Sequence, residues 1–188
     1  MDKEKQAFEE WRDIPGFNGK YKISTDGKVM SFSGRGCNPK LSTVGRLIHI
    51  SPNKNGYPTV SLSRDGQRKP YRVHRLMASA YLDGFCNDLE VDHINGIKTD
   101  NRVENLRMCT HSQNNRNRRS SKLSQSKYIG VYHGSTGEAN PWEASIRTDY
   151  GRVYLGRFPT EEAAAAAYNQ AALKYHGDFA RLNTINKV

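Results

Sequence analysis

Four side chains in the middle of this chain have the types and spacing to break a phosphodiester. Asp92 and His93 are adjacent, Asn105 follows the histidine by twelve residues, and Asn114 lies nine further on. An imidazole with an ordinary pKa of ~6.5 can take a proton from water near neutrality. A carboxylate and an amide oxygen are hard ligands suited to Mg²⁺, which uses few protein ligands and keeps room for water and phosphate oxygens. An ion held there stabilises charge on the phosphate and on the departing oxygen.

The elements that must position these groups can be read around them. Leu89-Glu90-Val91 predicts a short strand running into Asp92-His93, with turn and loop at Asn95-Gly96 and Thr99-Asp100-Asn101. Asn105-Leu106-Arg107-Met108 predicts the return strand. Thr110-His111-Ser112-Gln113 has the form of a capping box, so a helix should begin there with Asn114 in its first turn. Strand, loop, strand and helix would bring residues 92, 93, 105 and 114 to one point. Upstream, Thr59 to Ser63 and Lys69 to Val73 read as strands around Arg64-Asp65-Gly66-Gln67, and Val73, Leu76, Met77 and Ala80 recur at helical spacing. His74, at that strand–helix junction, reads as a packing residue and His111 as a surface one. His49, His133 and His176 have no partner constellation.

Val91-Asp92-His93-Ile94-Asn95-Gly96, Asn101-Arg102-Val103-Glu104-Asn105-Leu106-Arg107 and Asn114 together resemble the HNH nucleases with a ββα-metal site. The likeness is strongest to the subgroup of phage homing endonucleases with Asn at the third signature position, and Tyr71-Arg72-Val73-His74-Arg75-Leu76 extends it upstream. The resemblance implies His93 as general base and Asn105 as the residue orienting it. It also implies Asp92 and Asn114 as ligands of Mg²⁺, with Mn²⁺ as the alternative ion.

Residues 8 to about 34 are punctuated by Pro15-Gly16, Asn18-Gly19 and Asp26-Gly27, and predict a small hairpin of Tyr21 to Ser24 and Lys28 to Phe32. Glu10 to Phe17, Tyr21-Lys22-Ile23-Ser24 and Gly27-Lys28-Val29 resemble the short N-terminal module of homing endonucleases, which implies an accessory, DNA-related role. Too small for a large core of its own, this module should lean on the next. Gly34 to Gly45 reads as a loop whose Arg35 and Lys40 could touch phosphate.

Residues 112 to 127 carry Arg116, Arg118, Arg119, Lys122 and Lys127 with no acid among them. Arg116, Arg118 and Arg119 continue from Asn114 and are candidates for phosphate contact, each contact steepening the salt dependence of binding. Ser120 to Ser126 has linker composition. Beyond it, Tyr128 to Tyr132, Trp142 to Arg147 and Arg152 to Phe158 read as three strands. A helix follows, entered at Pro159-Thr160 and stopped at Gly177. Ala164, Tyr168, Ala171, Ala172 and Tyr175 should form its packed face. Alternation puts Trp142, Ala144, Ile146, Val153 and Leu155 toward the helix, and Glu143, Ser145, Arg147, Arg152 and Tyr154 outward.

This segment, from about Lys127 to Asn183, resembles the ethylene-response-factor-type (AP2/ERF-like) DNA-binding domain. Carried over by position, Tyr132, Ser145, Arg147, Arg152, Tyr154 and Tyr168 are its implied DNA contacts. The plant domains carry basic residues where Ile129, Tyr132 and Gly134 stand here, an acid at Ser145 and tryptophan at Tyr154. The family's base preference therefore does not transfer.

Composition agrees with a polyanionic partner: of 188 residues, 29 are Lys or Arg against 19 Asp or Glu, a net charge of +10. No apolar run approaches the ~18 residues of a membrane span, and the N-terminus lacks the apolar core of a signal peptide. Cys37, Cys86 and Cys109, without a Cys-x-x-Cys, argue for a reducing interior and against a disulfide framework or zinc cluster. The reading is a three-part α+β protein: an N-terminal hairpin module (1–46), a ββα-metal HNH nuclease core (47–119), a linker (120–126), and a C-terminal three-stranded antiparallel sheet packed on one helix (127–188). The resemblances imply an intracellular, phage- or bacterium-encoded homing endonuclease. It would nick double-stranded DNA as a monomer or weak dimer, without a membrane partner. The alternative is a non-catalytic DNA-binding regulator that uses the C-terminal sheet; an RNA-processing nuclease is the third reading.

Overall fold

Short antiparallel strands, several joined by glycine-bearing turns, are the commonest element among the described residues. The structure is a computed structural model and describes residues 10–34, 41–116, 126–134 and 139–185. It is an α+β protein of two compact units, divided between Cys109 and Thr110.

In the first unit, β1 (Trp11–Asp13), β2 (Tyr21–Ser24), β3 (Val29–Ser33) and β4 (Leu41–Leu47) form an antiparallel sheet in chain order. Gly27, at φ +82°, makes the turn between β2 and β3. The expected hairpin is therefore present. The expected loop from Gly34 to Gly45 is corrected: its second half is β4, since Val29 to Ser33 offers an open edge for pairing. Arg35 and Lys40 lie outside the described residues. So does Cys37.

A second antiparallel sheet consists of β5 (Ser51–Pro52), β6 (Pro58–Arg64) and β7 (Gln67–Arg72). Asp65 and Gly66 both have positive φ, 51° and 75°, which suits a two-residue hairpin turn. Helix α1 (Val73–Tyr81) follows directly and buries Val73, His74, Leu76, Met77 and Ala78. Then β8 (Glu90–His93) pairs antiparallel with β9 (Leu106–Cys109), with Asp92 opposite Arg107 and His93 opposite Leu106. A short 3₁₀ turn, Val103–Asn105, leads into β9.

One hydrophobic cluster unites these pieces. Ile14, Phe17, Tyr21, Ile23 and Val29 pack with Val60, Leu62, Val73, Leu76, Met77, Val91 and Leu106. Burying each such side chain contributes about 1.5–3 kcal/mol, so the N-terminal hairpin and the strands around Asp92 share one core. Polar contacts tie them too: the Tyr81 hydroxyl donates to the Ile23 carbonyl at 2.9 Å, and Ser63 N–H to the Tyr21 hydroxyl at 3.1 Å. The boundary expected between residues 46 and 47 falls inside β4.

The second unit begins with α2 (His111–Arg116). Its capping box is formed: Thr110 N–H donates to Gln113 Oε1 at 2.8 Å, and Gln113 N–H to Thr110 Oγ1 at 3.2 Å. Most of the 120–126 linker lies outside the described residues. Then β10 (Val131–His133), β11 (Trp142–Thr148) and β12 (Gly151–Phe158) form an antiparallel sheet under α3 (Glu161–His176). Tyr128 to Gly130 is a turn, not strand, because Gly130 adopts φ +73°. Thr160 caps α3, accepting from Ala163 N–H at 3.1 Å. Ala164, Ala165, Ala171 and Ala172 are buried, so helix and sheet backbones approach closely. Tyr175 is corrected to the outer face at 41% exposure, and His176 takes the buried position one residue on. Among the described residues no helix is long and apolar enough to cross a membrane.

The shared core makes a direct prediction. Ile23→Ala should cost about 2–5 kcal/mol. Hydrogen exchange should then show lowered protection in β6, α1 and β8 together with β2, whereas an independent N-terminal module would lose protection alone.

Candidate active site and nucleic-acid interface

Asp92 and His93 end β8, and both are buried, at 5% and 6% exposure. Asp92 Oδ2 accepts from Arg107 Nε at 3.0 Å and Nη2 at 2.8 Å. That pairing follows from strand register, since Arg107 stands directly opposite on β9. It orients the carboxylate.

His93 is held by Asn101: its Nε2 lies 3.1 Å from Asn101 Oδ1. Asn101 Nδ2 reaches the Thr99 carbonyl at 3.5 Å, which supports that amide orientation. With that amide orientation, a neutral ring donating from Nε2 would carry its lone pair on Nδ1.

Asn105, expected to orient the histidine, fastens the loop that carries Asn101. Its Nδ2 donates to Asn95 Oδ1 at 3.1 Å and to the Asp100 carbonyl at 2.8 Å, and its Oδ1 accepts from Asn95 N–H at 3.1 Å. The Asn105 carbonyl also accepts from Ile94 N–H at 2.9 Å. Arg102 and Asn95 brace Asp100 and hold its carboxyl well below the usual range. From behind, Gly27 of the N-terminal hairpin abuts this loop: a Cβ there would lie 3.1 Å from Asn101 Cβ and 3.3 Å from Val73 Cγ1.

His74 packs its ring edge-on against His93, 5.1 Å between centroids, with Tyr57 5.1 Å from His74 on another side. His74 Nδ1 is buried without a hydrogen-bond partner. Burial first, then the charges of His93, Arg72 and Arg75, lower its pKa to about 3. Its packing role stands, and the ring it packs against is that of His93. Cys109, buried beside Asp92 and Glu90, has its thiol pushed up to about 11 and stays protonated.

The residues fit a divalent ion of the hard kind. Among the described residues no three of His, Cys, Asp and Glu cluster as a metal cage. A single buried carboxylate instead suits an ion that keeps most positions for water and phosphate.

Asn114 is in α2, its N–H donating to the Thr110 carbonyl at 3.0 Å, in the second unit. Arg116 ends that helix; Arg118 and Arg119 lie outside the described residues.

On the C-terminal sheet, Tyr132, Arg147, Arg152 and Tyr154 are exposed as alternation required. Tyr132, Glu143, Ser145, Arg152 and Tyr154 rim a hollow of about 300 Å³. Ser145 is only 6% exposed, because its hydroxyl accepts from Arg152 Nε at 2.8 Å. Arg152 also stands 4.8 Å over the Tyr132 ring, so two neighbours fix its guanidinium. Arg157 is paired with Glu143 at 2.8 Å. Tyr168 stands on the packed face of α3, as the helical spacing required. At 5% exposure it packs with Ile146, Ala171 and Ala172 against Gly130, where a Cβ would overlap its ring, so little of its surface is left for the DNA contact that the resemblance implies.

Residues 71–116 match the HNH endonuclease family model, and residues 9–63 match the NUMOD4 motif. The chain is 34% identical over 111 residues to the DNA endonuclease I-HmuI of Bacillus phage SP01, covering 59% of this chain and 58% of that protein. It is 34% identical over 134 residues to an uncharacterized HNH endonuclease of Acanthamoeba polyphaga mimivirus, covering 71% of this chain and 65% of that one. The matches thus span less than two thirds of these curated relatives. A solved structure of DNA binding and cleavage by the HNH homing endonuclease I-HmuI superposes with a TM-score of 0.50 at 25% identity. It covers 89% of this chain and 91% of that chain. The C-terminal part is AP2/ERF-like: it is 48% identical over 58 residues to an AP2/ERF and B3 domain-containing protein of Oryza sativa subsp. japonica, 31% of this chain and 15% of that protein.

Asn101 and Arg107 were within the quoted HNH motif but had no role assigned from sequence. The β8–β9 register identifies Arg107, and only the folded loop identifies Asn101.

Two predictions follow from this geometry. Gly27→Ala should strain a left-handed position by roughly 1–2 kcal/mol and push on Asn101. Imidazole NMR should show the His93 Nε2–H resonance shifted or broadened, and an unmoved resonance would separate the hairpin from the site. His74, neutral when folded but ordinarily titrating near 6.5, lets the unfolded chain bind the extra proton between pH 6.5 and about 3. Its contribution is complete above that window and falls as pH drops through it. His74→Phe should therefore flatten the acid limb of the stability–pH profile in chemical denaturation and leave the profile above pH 7 parallel to wild type.

Proposed function

We propose that this chain is a divalent-metal-dependent endonuclease of the homing type that hydrolyses phosphodiester bonds in double-stranded DNA, one strand at a time. The observation that carries the reading is the buried Asp92–His93 pair, with His93 Nε2 on Asn101 and Asp92 on Arg107, inside the segment that matches the HNH endonucleases. Segment 47–119 would cut and segment 127–188 would read the target.

Each residue then has a defined task. His93 takes the proton of the attacking water on Nδ1, because Nε2–H donates to Asn101. Asn101 and Asn105 hold the ring in place as it gains charge. Asp92 and Asn114 are the residues that would hold the ion, with Mg²⁺ the favoured one and Mn²⁺ the substitute. When bound, the ion supplies charge stabilisation at the phosphate and the leaving oxygen. Arg152, fixed by Ser145 and Tyr132, offers a pre-oriented guanidinium to a base edge or phosphate, and Tyr154 and Arg147 flank it. One such site per chain favours nicking, so two breaks would need two visits or two copies.

The test is nicking of supercoiled DNA by wild type and His93→Ala, each with Mg²⁺ and with EDTA. Wild type should nick only with the metal, and His93→Ala should be slower by about 10²–10⁴-fold with DNA binding intact. Firm binding without nicking, by wild type and on DNA flanking its own gene, would favour the regulator instead.

A further inference from the structure

The first unit pairs much of its positive charge internally. Arg12 is bound to Glu10, Arg64 to Asp65, Arg102 to Asp100 and Arg107 to Asp92. Among the described cations without such a partner (Lys20, Arg46, Lys54, Arg68, Lys69 and Arg75 are others), Arg72 and Lys98 share one aromatic ring. Arg72 ends β7, Lys98 lies in the loop between β8 and β9, and both are exposed. Among the described residues neither has a carboxylate partner.

What they share is Tyr57. The Arg72 guanidinium carbon is 5.2 Å from the centre of the Tyr57 ring, and Lys98 Nζ is 4.7 Å from it. Lys98 also donates to the Asn55 carbonyl at 3.0 Å. An aromatic face and a backbone carbonyl orient a cation without cancelling its charge. The same Tyr57 ring lies 6.3 Å from the ring of His93 and 5.1 Å from that of His74. Two uncompensated, oriented cations thus stand one aromatic ring away from the proposed general base. Two like charges gathered on one ring repel each other, a cost that an arriving polyanion relieves.

We propose that Arg72 and Lys98 clamp backbone phosphates of the DNA strand presented to His93, with Tyr57 as their common platform. The inference rests on the reading that His93 faces DNA, and it assigns a binding site rather than a second catalytic group. Arg72 and Lys98 are phosphate-contacting residues; Tyr57 is a positioning residue. The ligand chemistry is the phosphodiester backbone, so the contribution is independent of base sequence.

The experiment uses the full chain and a fluorescently labelled duplex in EDTA, with affinity read by anisotropy across a salt series. Each lost phosphate contact should lower the slope of log affinity against log salt by about 0.9. Arg72→Gln and Lys98→Gln should each show that drop, and the double variant about twice it. Tyr57→Phe, which keeps an aromatic face, should retain the wild-type slope. Arg12→Gln removes the same charge from an already paired arginine and should leave the slope unchanged. A double variant with the wild-type slope would overturn the clamp. So would an equal drop in Arg12→Gln, which would reduce the effect to net charge. Because no cleavage occurs in EDTA, a wild type that binds but never nicks would sink the endonuclease reading alone.

Discussion

The contact between His93 Nε2 and Asn101 Oδ1 is the constraint on which the candidate site depends. A histidine can act as a base only if its lone pair is on the correct nitrogen and its ring is still. Asn101 meets the first requirement, and the second is distributed over the structure. Asn105 pins the loop at Asn95 and Asp100, Arg102 braces Asp100, and Gly27 closes in from the N-terminal hairpin. The N-terminal segment is therefore part of the site's scaffold, since a Cβ at Gly27 would press on Val73 and Asn101.

Electrostatics around this point is arranged in two layers. Asp92 is buried with Arg107, a pair whose side chains are 6% and 18% exposed, so removing either partner would strand a charge at a cost of about 3–5 kcal/mol. His74, next to His93, is kept neutral by burial. Outside this interior, Arg72 and Lys98 remain charged on the surface of the same ring cluster.

The second unit solves a different problem, that of presenting a rigid polar face. The register of β11 against β12 shifts between Ala144 and Ser145, and Gly156, at φ +118°, lies opposite Ala144 in this irregular stretch. Ser145 is thereby turned onto Arg152, and Tyr132 covers the guanidinium. Alanines on α3 let the helix approach closely enough for Tyr168 to fill the space over Gly130.

The sequence by itself determined the chemistry and the local frame. Asp92, His93 and Asn105, the capping box at Thr110, the hairpin turn at Asp65-Gly66 and the alternating strands are short-range features, because residues a few positions apart settle them. Tertiary structure decided the rest. Asn101 as the partner of His93, Gly27 behind it, Tyr57 joining Arg72 to Lys98, and the first two expected modules sharing one core all depend on elements distant in sequence. Tyr175 and Gly34 to Gly45 were misread for the same reason. Whether a tyrosine on a helix faces solvent or core, and whether a glycine-rich stretch ends in a strand, depends on the neighbouring surface, and periodicity along one segment carries no record of that neighbour.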